Sequence, residues 1–170
     1  DAVISLWVDS AVYRQAQEKI IGACTSKFHG YLVPESEALV NRQHPANEGG
    51  RVEGMCQVVF LQKPPRLEYQ QWLDIWHNSH TQIAIDTQST FGYRQNVVTR
   101  ALTAGAPEVD AIIEENFPAA AIHSQHAFYD AVGDDVKLQQ HQKAMIDSVV
   151  RFIDFDRIDV LPASEYIVSA

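Results

Sequence analysis

The stretch from residue 66 to residue 100 constrains the fold more than any other part of the chain. In its first two-thirds, apolar and aromatic side chains recur every three or four residues, the spacing that lines one face of an α-helix. The members of this face are Tyr69, Trp72, Leu73, Trp76, His80, Ile83 and Ala84. A predicted strand, residues 91–99, follows. The stretch therefore predicts a helix that lays two tryptophans and one histidine on a sheet.

Successive side chains of that predicted strand point to opposite faces of the sheet. Tyr93 and Gln95 therefore share one face, and Arg94 and Asn96 share the other. Only one of these pairs can line a cavity. The first pair would form a neutral hydrogen-bonding wall, whereas the second would suit a carboxylate. The alternative for whichever pair faces outward is ordinary solvated surface.

The rest of the chain reads as further strands and helices. Predicted strands cover residues 2–8, 31–40, 55–61, 118–122 and 158–168, and predicted helices cover residues 9–24, 109–113, 126–132 and 135–153. Pro34 interrupts the second strand and indicates an edge or a bulge, because proline has no N–H to donate to a ladder. A polar, glycine-containing linker occupies residues 43–50.

Three short patterns in the central stretch resemble one known family. They are Lys63-Pro64-Pro65-Arg66-Leu67, then Trp72, Trp76 and His80, then Gly92-Tyr93-Arg94-Gln95-Asn96. Together they resemble the EthD family, most clearly over residues 55–100. The resemblance implies an α+β fold, a ferredoxin-like α+β barrel in which two sheets pack face to face. Many relatives have a glycine-proline pair after the histidine; here Thr81-Gln82 stands there, so the helix is expected to continue.

Residues 33–40 and 161–168 echo each other, sharing a proline, a serine, a glutamate and a final valine at one fixed offset. Because each copy ends a predicted strand–helix–strand unit, we interpret the echo as a duplication. Residues 1–42 are then the second half, β-α-β, of a first ferredoxin-like module, and residues 51–170 form a complete EthD-like module. This tandem hypothesis expects the natural chain to extend beyond Asp1; the alternative is that residues 1–42 are an extension of one module.

His80 is the first candidate for chemistry. An imidazole titrates near neutrality and can act as general acid or base; the alternative is a buried structural histidine. The EthD resemblance implies a cofactor-independent reaction on a small apolar, aromatic or carbonyl-bearing metabolite. The catalytic candidates are His80 and Tyr93, and the substrate-binding candidates are Trp72, Trp76, Arg94, Gln95 and Asn96. The two tryptophans also suit a plain hydrophobic core. The alternative functions are a non-catalytic binding or accessory protein and a structural protein with a closed cavity.

Composition and charge exclude several other classes of function. The 13 basic and 22 acidic residues give a net charge of −9 without a basic run, which disfavours nucleic acid and anionic membranes. Two cysteines do not form a disulfide framework and indicate buried thiols in the cytoplasm. We expect a small-molecule ligand, no membrane partner, and pairing of two modules within one chain or as a homodimer.

Metal ligands and catalytic motifs give no specific signal. The pairs His77/His80 and His123/His126 have the spacing of helical metal ligands but lack acidic or cysteine companions, so we expect no metal and no cofactor. The acidic pairs Glu114-Glu115 and Asp134-Asp135 read as solvated charges at helix ends.

Overall fold

A five-stranded antiparallel sheet lies at the centre of the computed structural model, which describes residues 2–168. Its strands are β2 (Glu35–Leu39), β3 (Met55–Leu61), β4 (Gly92–Val97), β6 (Ala111–Phe117) and β7 (Ile158–Ala163). Their spatial order is β2-β4-β6-β3-β7. Two short strands, β1 (Tyr31–Leu32) and β5 (Arg100–Ala101), pair as a separate ribbon. The predicted α+β fold is confirmed.

Five α-helices complete the described chain. They are α1 (Gln15–Cys24), α2 (Tyr69–Ile75), α3 (Thr81–Thr87), α4 (Gln125–Phe128) and α5 (Asp135–Val149). A π-helical segment, Trp76–His80, joins α2 to α3 without a break. Short 3₁₀ helices occupy Ala11–Tyr13 and Ala119–Ile122. The helix predicted within residues 66–100 therefore runs from residue 69 to residue 87.

The path of the chain through residues 55–163 is strand, helix, strand, strand, helix, strand. β3 leads through α2 and α3 to β4, and β6 leads through α4 and α5 to β7. Because β6 and β3 lie between β4 and β7, the two halves interlock in one sheet. β2 adds a fifth strand beside β4, at the edge that the interruption by Pro34 indicated. The strand predicted over residues 31–40 divides at Pro34 into β1 and β2, which belong to different sheets. The register of β2 shifts further along, between Glu37 and Leu39.

The core lies between one face of this sheet and the helices. Its buried members are Val59, Leu61, Trp72, Trp76, Ala84, Tyr93, Ala111, Ile113, Met145 and Phe152. Both tryptophans are fully buried, which favours their interpretation as core residues. Burial of such aromatic side chains contributes more to stability, per residue, than most other contacts.

Three predicted elements are wrong. Within residues 109–113, strand β6 begins at Ala111 where a helix was predicted. Within residues 118–122, Ala119–Ile122 is a 3₁₀ helix where a strand was predicted. Residues 2–8 have no strand partner in the described chain, and Trp7 is 69% exposed. A strand needs a neighbour to satisfy its backbone groups, and apolar composition alone does not supply one.

The ends of the helices follow their capping residues. The side chains of Ser10, Ser124 and Asp134 each accept a hydrogen bond from a backbone N–H of the following turn, as N-cap residues do. Helix α1 has no buried residue, and Cys24 at its end is exposed, whereas both cysteines were expected to be buried.

Candidate functional site

Strands β4 and β6 place polar residues on both faces of the sheet centre. In their antiparallel register Tyr93 lies opposite Glu115, and Arg94 lies opposite Glu114. Tyr93 contacts the helices, so its strand neighbour Arg94 faces the other way. We call the face that carries Arg94, Asn96, Glu114 and Asn116 the open face, because the core helices pack on the opposite one. The name refers to the helices alone: Asn96, Glu114 and Asn116 are less than a tenth exposed, and the hydroxyl of Ser5 donates to Glu114 at 3.3 Å.

Arg94 is the centre of a charged cluster on the open face. Its Nη2 pairs with Glu165 and lies 3.3 Å from Oε2 of Glu114. All three side chains are less than a fifth exposed. Asn116 donates to the second oxygen of Glu165 at 2.7 Å, and Asn96 donates to Glu114 at 3.4 Å. Ion pairs removed from water in this way are strongly coupled, because little solvent screens them.

Glu165 reaches the cluster from the segment that follows β7. We call residues 164–168 the C-terminal segment. Tyr166 forms an isolated antiparallel bridge with Arg51, and the backbone N–H of Val52 donates to the carbonyl of Glu165 at 3.0 Å. The N–H of Ile167 donates to the carbonyl of Gly50 at 3.0 Å. These contacts hold the C-terminal segment against residues 50–52 rather than in the main sheet.

A cleft of about 280 Å³ opens beside this cluster. Its lining combines charged, amide and apolar groups: Glu37, Leu39, Asn41, Pro45, Ala46, Val52, Gly92, Tyr93, Arg94, Asn116, Glu165 and Ile167. Glu37 lies directly opposite Arg94 in the register of β2 with β4.

The two copies of the sequence echo meet at this cleft. Glu37 and Glu165 occupy equivalent positions in the two copies, as do Leu39 and Ile167. All four residues line the cleft. Arg94 therefore lies between two glutamates that the echo makes equivalent.

The helix-facing side of the same strands holds a buried hydrogen-bond network. Trp76 Nε1 donates to the hydroxyl of Tyr93 at 3.0 Å, and Gln95 donates to Thr81 at 2.8 Å. Glu115 accepts from Gln57 at 3.3 Å. Burial raises the pKa of Glu115 from 4.5 to about 7 and also raises the pKa of Tyr93. Tyr93 borders the cleft, but its hydroxyl is engaged on the other side.

His80 lies between two helices rather than at the cleft. Its Nδ1 is 3.0 Å from Oγ of Ser148, and its ring lies 4.6 Å from that of Phe152. Burial, reinforced by the charge of Arg151, lowers the pKa of His80 from 6.5 to about 4. The structure thus places Arg94 and Asn96 on the open face. Tyr93 and Gln95 lie on the opposite face, where Tyr93 packs with Trp72 and Trp76. His80 lies on that helix-covered side as well, away from Arg94 and the cleft.

Several residues of the site were missed by sequence reasoning. Glu114 and Glu115 were predicted to be solvated helix-end charges, which is wrong: both are more than 90% buried in β6. Asn116 and Glu165 were not singled out. The shared serine-glutamate of the echo was a signal for Glu165, because it repeats a charged residue within an otherwise apolar strand end.

Comparisons with known proteins identify no family for this chain. No protein-family model matches the chain, and no curated protein gives a significant match. None of the helices within residues 2–168 combines the length and apolar character needed to cross a membrane. Over the same residues, no three His, Cys, Asp or Glu side chains are grouped so as to hold a metal ion.

Proposed function

We propose that the protein is an EthD-type, ferredoxin-like unit that binds a small aromatic or carbonyl-bearing metabolite at its open face. The β-α-β-β-α-β order of residues 55–163 is that of a ferredoxin-like unit, which supports the fold part of the proposal. In this proposal a second sheet covers the open face. It comes from another module of the natural chain or from a second copy.

The cleft beside Arg94 carries the functional part of the proposal. Ligand sites in proteins are concave, mostly apolar, and contain a few converging polar groups. The cleft has that character: Leu39, Val52 and Ile167 supply apolar walls, while Arg94 and Asn116 supply hydrogen-bond donors. Its volume of about 280 Å³ lies just below the range of typical small-molecule sites, about 300–1,000 Å³, so it suits a small ligand.

Filling the cleft is expected to abolish binding. Ala46 lines the cleft from the irregular linker, so an indole there would occupy the ligand volume without disturbing the sheet. Backbone NMR with a panel of small aromatic ketones, aldehydes and acids should show shifts at residues 92–96, 114–116 and 165–167 in the unmodified protein. Ala46→Trp should weaken the best binder at least about tenfold, which corresponds to 1.4 kcal/mol.

The matched control is Ala104→Trp, which adds the same side chain to an exposed loop and should leave binding unchanged. Shifts that cluster away from the cleft, or equal binding by both tryptophan variants, would overturn the proposal. Binding by neither the unmodified protein nor the control would do the same.

Acid–base catalysis by His80 and Tyr93 is a separate part of the proposal. Because both side chains are buried, it requires that a substrate can reach them. A substrate would have to reach the layer between the sheet and the helices, since His80 is only 7% exposed. Catalysis therefore requires that His80→Ala abolishes turnover of a bound compound. A binding protein without catalysis keeps its affinity after the same change.

His80→Ala is also expected to lower the free energy of unfolding, by about 1–3 kcal/mol, because the buried hydroxyl of Ser148 loses a partner. Urea denaturation at pH 7.5 measures this. His123→Ala, at an exposed position, serves as control and should change stability by less than about 0.5 kcal/mol. Equal stability of the two variants would contradict a structural role for His80.

A further inference from the structure

We propose that Glu165 is an internal ligand of the cleft, and that a small carboxylate binds there by displacing it. This inference rests on the proposed function and narrows its ligand to one chemical class, an aromatic or aliphatic monocarboxylate. The C-terminal segment then has two positions, one with Glu165 on Arg94 and one with the ligand carboxylate in its place.

The carboxylate of Glu165 is bound by side chains in the way that a protein binds a ligand carboxylate. One oxygen pairs with the guanidinium of Arg94, and the other accepts from the amide of Asn116 at 2.7 Å. A guanidinium and a fixed amide that grip the two oxygens of one carboxylate form a directional site for that group. Asn116 is 3% exposed and lies in the central strand β6, so its amide stays in place when the bound carboxylate changes.

The charge balance requires exchange rather than addition. Arg94 already faces two carboxylates, those of Glu114 and Glu165, and Glu37 lies opposite it on the next strand. A further anion would meet an excess of negative charge in a region with little solvent screening. A ligand carboxylate is therefore accommodated only when one of the resident carboxylates leaves.

Of the two resident carboxylates, Glu165 lies on the backbone with fewer strand neighbours. Glu114 is fixed by the ladder of β6 with β3 and β4 on both sides. Glu165 lies beyond the end of β7, where the C-terminal segment makes three backbone hydrogen bonds to residues 49–52 and the Arg51–Ser164 contact at 3.0 Å. Its neighbour Ile167 also lines the cleft, so departure of this segment enlarges the ligand volume.

Benzoate titrations measured by NMR or calorimetry test the exchange. Glu165→Gln keeps the size of the side chain and an acceptor for Asn116 but removes the charge that competes for Arg94. It should bind benzoate at least about tenfold more tightly than the unmodified protein. Glu108→Gln removes the same charge at an exposed position and should change the affinity less than threefold. Benzamide, the neutral analogue, should gain nothing from Glu165→Gln.

A second measurement tests whether the C-terminal segment moves when the ligand binds. Saturating benzoate should speed hydrogen exchange at the amide of Ile167, which donates to the carbonyl of Gly50. In the Glu165→Gln background, Arg94→Lys should weaken benzoate at least about tenfold, because the ammonium keeps the charge but loses the planar fork.

The outcomes separate this inference from the proposed function. Equal benzoate affinity of Glu165→Gln and unmodified protein, or an equal gain for benzamide, overturns the exchange. Binding of benzamide in the cleft without binding of benzoate also overturns it and leaves the proposed function standing. Failure of both probes to bind any variant counts against both.

Discussion

Replacing Arg94 with methionine is expected to lower the free energy of unfolding by about 3–5 kcal/mol at pH 8, because it leaves buried carboxylates without their cation. Glu114 and Glu165 would then share the open face with only neutral donors beside them, the amides of Asn96 and Asn116 and the hydroxyl of Ser5. Methionine keeps much of the aliphatic volume, so the loss measures charge rather than packing. Urea denaturation followed by tryptophan fluorescence gives the difference.

Removing the charges of the two glutamates should reverse this loss, because the loss comes from buried carboxylates that have no cation. Restoring neutrality with Glu114→Gln and Glu165→Gln on the methionine background should recover most of the loss. Arg100→Met, on the exposed strand β5, is the matched control. A deficit below about 1.5 kcal/mol, or one that the two glutamine substitutions leave unchanged, would contradict the account of Arg94.

Glu115→Gln is expected to stabilise the protein by about 3 kcal/mol at pH 8 and by little at pH 4. Burial raises the pKa of Glu115 from 4.5 to about 7, and each unit corresponds to about 1.4 kcal/mol. The folded state holds this proton more tightly than the unfolded state, so its contribution to stability falls as pH rises from about 4.5 to 7. Glutamine stays neutral throughout and can still accept from Gln57.

His80 contributes the opposite dependence of stability on pH. Its lowered pKa, about 4 against 6.5, means that the unfolded state binds the proton first, so stability falls as pH drops from 6.5 towards 4. In the unmodified protein the two contributions offset each other across that range. Glu115→Gln should therefore expose a stability that increases from pH 4 to pH 6.5, measured by chemical denaturation at half-unit steps. Glu108→Gln should retain the unmodified profile, and a Glu115→Gln profile identical to it would refute the burial effect.

Sequence reasoning predicted those elements whose pattern of apolar residues is visible within the element itself. The helix of residues 69–87 shows its buried face as a three- and four-residue period, and β3 is an apolar run with clear ends. Local chemistry also fixed the helix starts at Ser124 and Asp134, because a side-chain oxygen there replaces a missing backbone acceptor. Such signals need no knowledge of distant residues.

The parts that failed depend on distant partners. β6 is buried on both faces, so it shows no alternation, and Glu114-Glu115 within it read as helical surface charge. Those glutamates are tolerable in a central strand only because Arg94 and Gln57 lie on its neighbours. Likewise, the strand pattern left both pairs of residues 93–96 as candidates for the cavity wall. The choice was made by which side the helices cover.

The π-helical segment keeps residues that are spaced four apart on one face of the helix. Trp72, Trp76, His80 and Ala84 follow one another at an unbroken interval of four residues, and all are buried. In a regular α-helix each such step overshoots a full turn by about 40°, so four members would spread over about 120°. The wider turn, closed by the N–H of Thr81 on the carbonyl of Trp76, takes back part of that rotation. Deleting one residue from this turn would therefore rotate every later residue by about 100° around the helix axis. The number of residues in the turn is thus constrained, even at positions where the side chain is not.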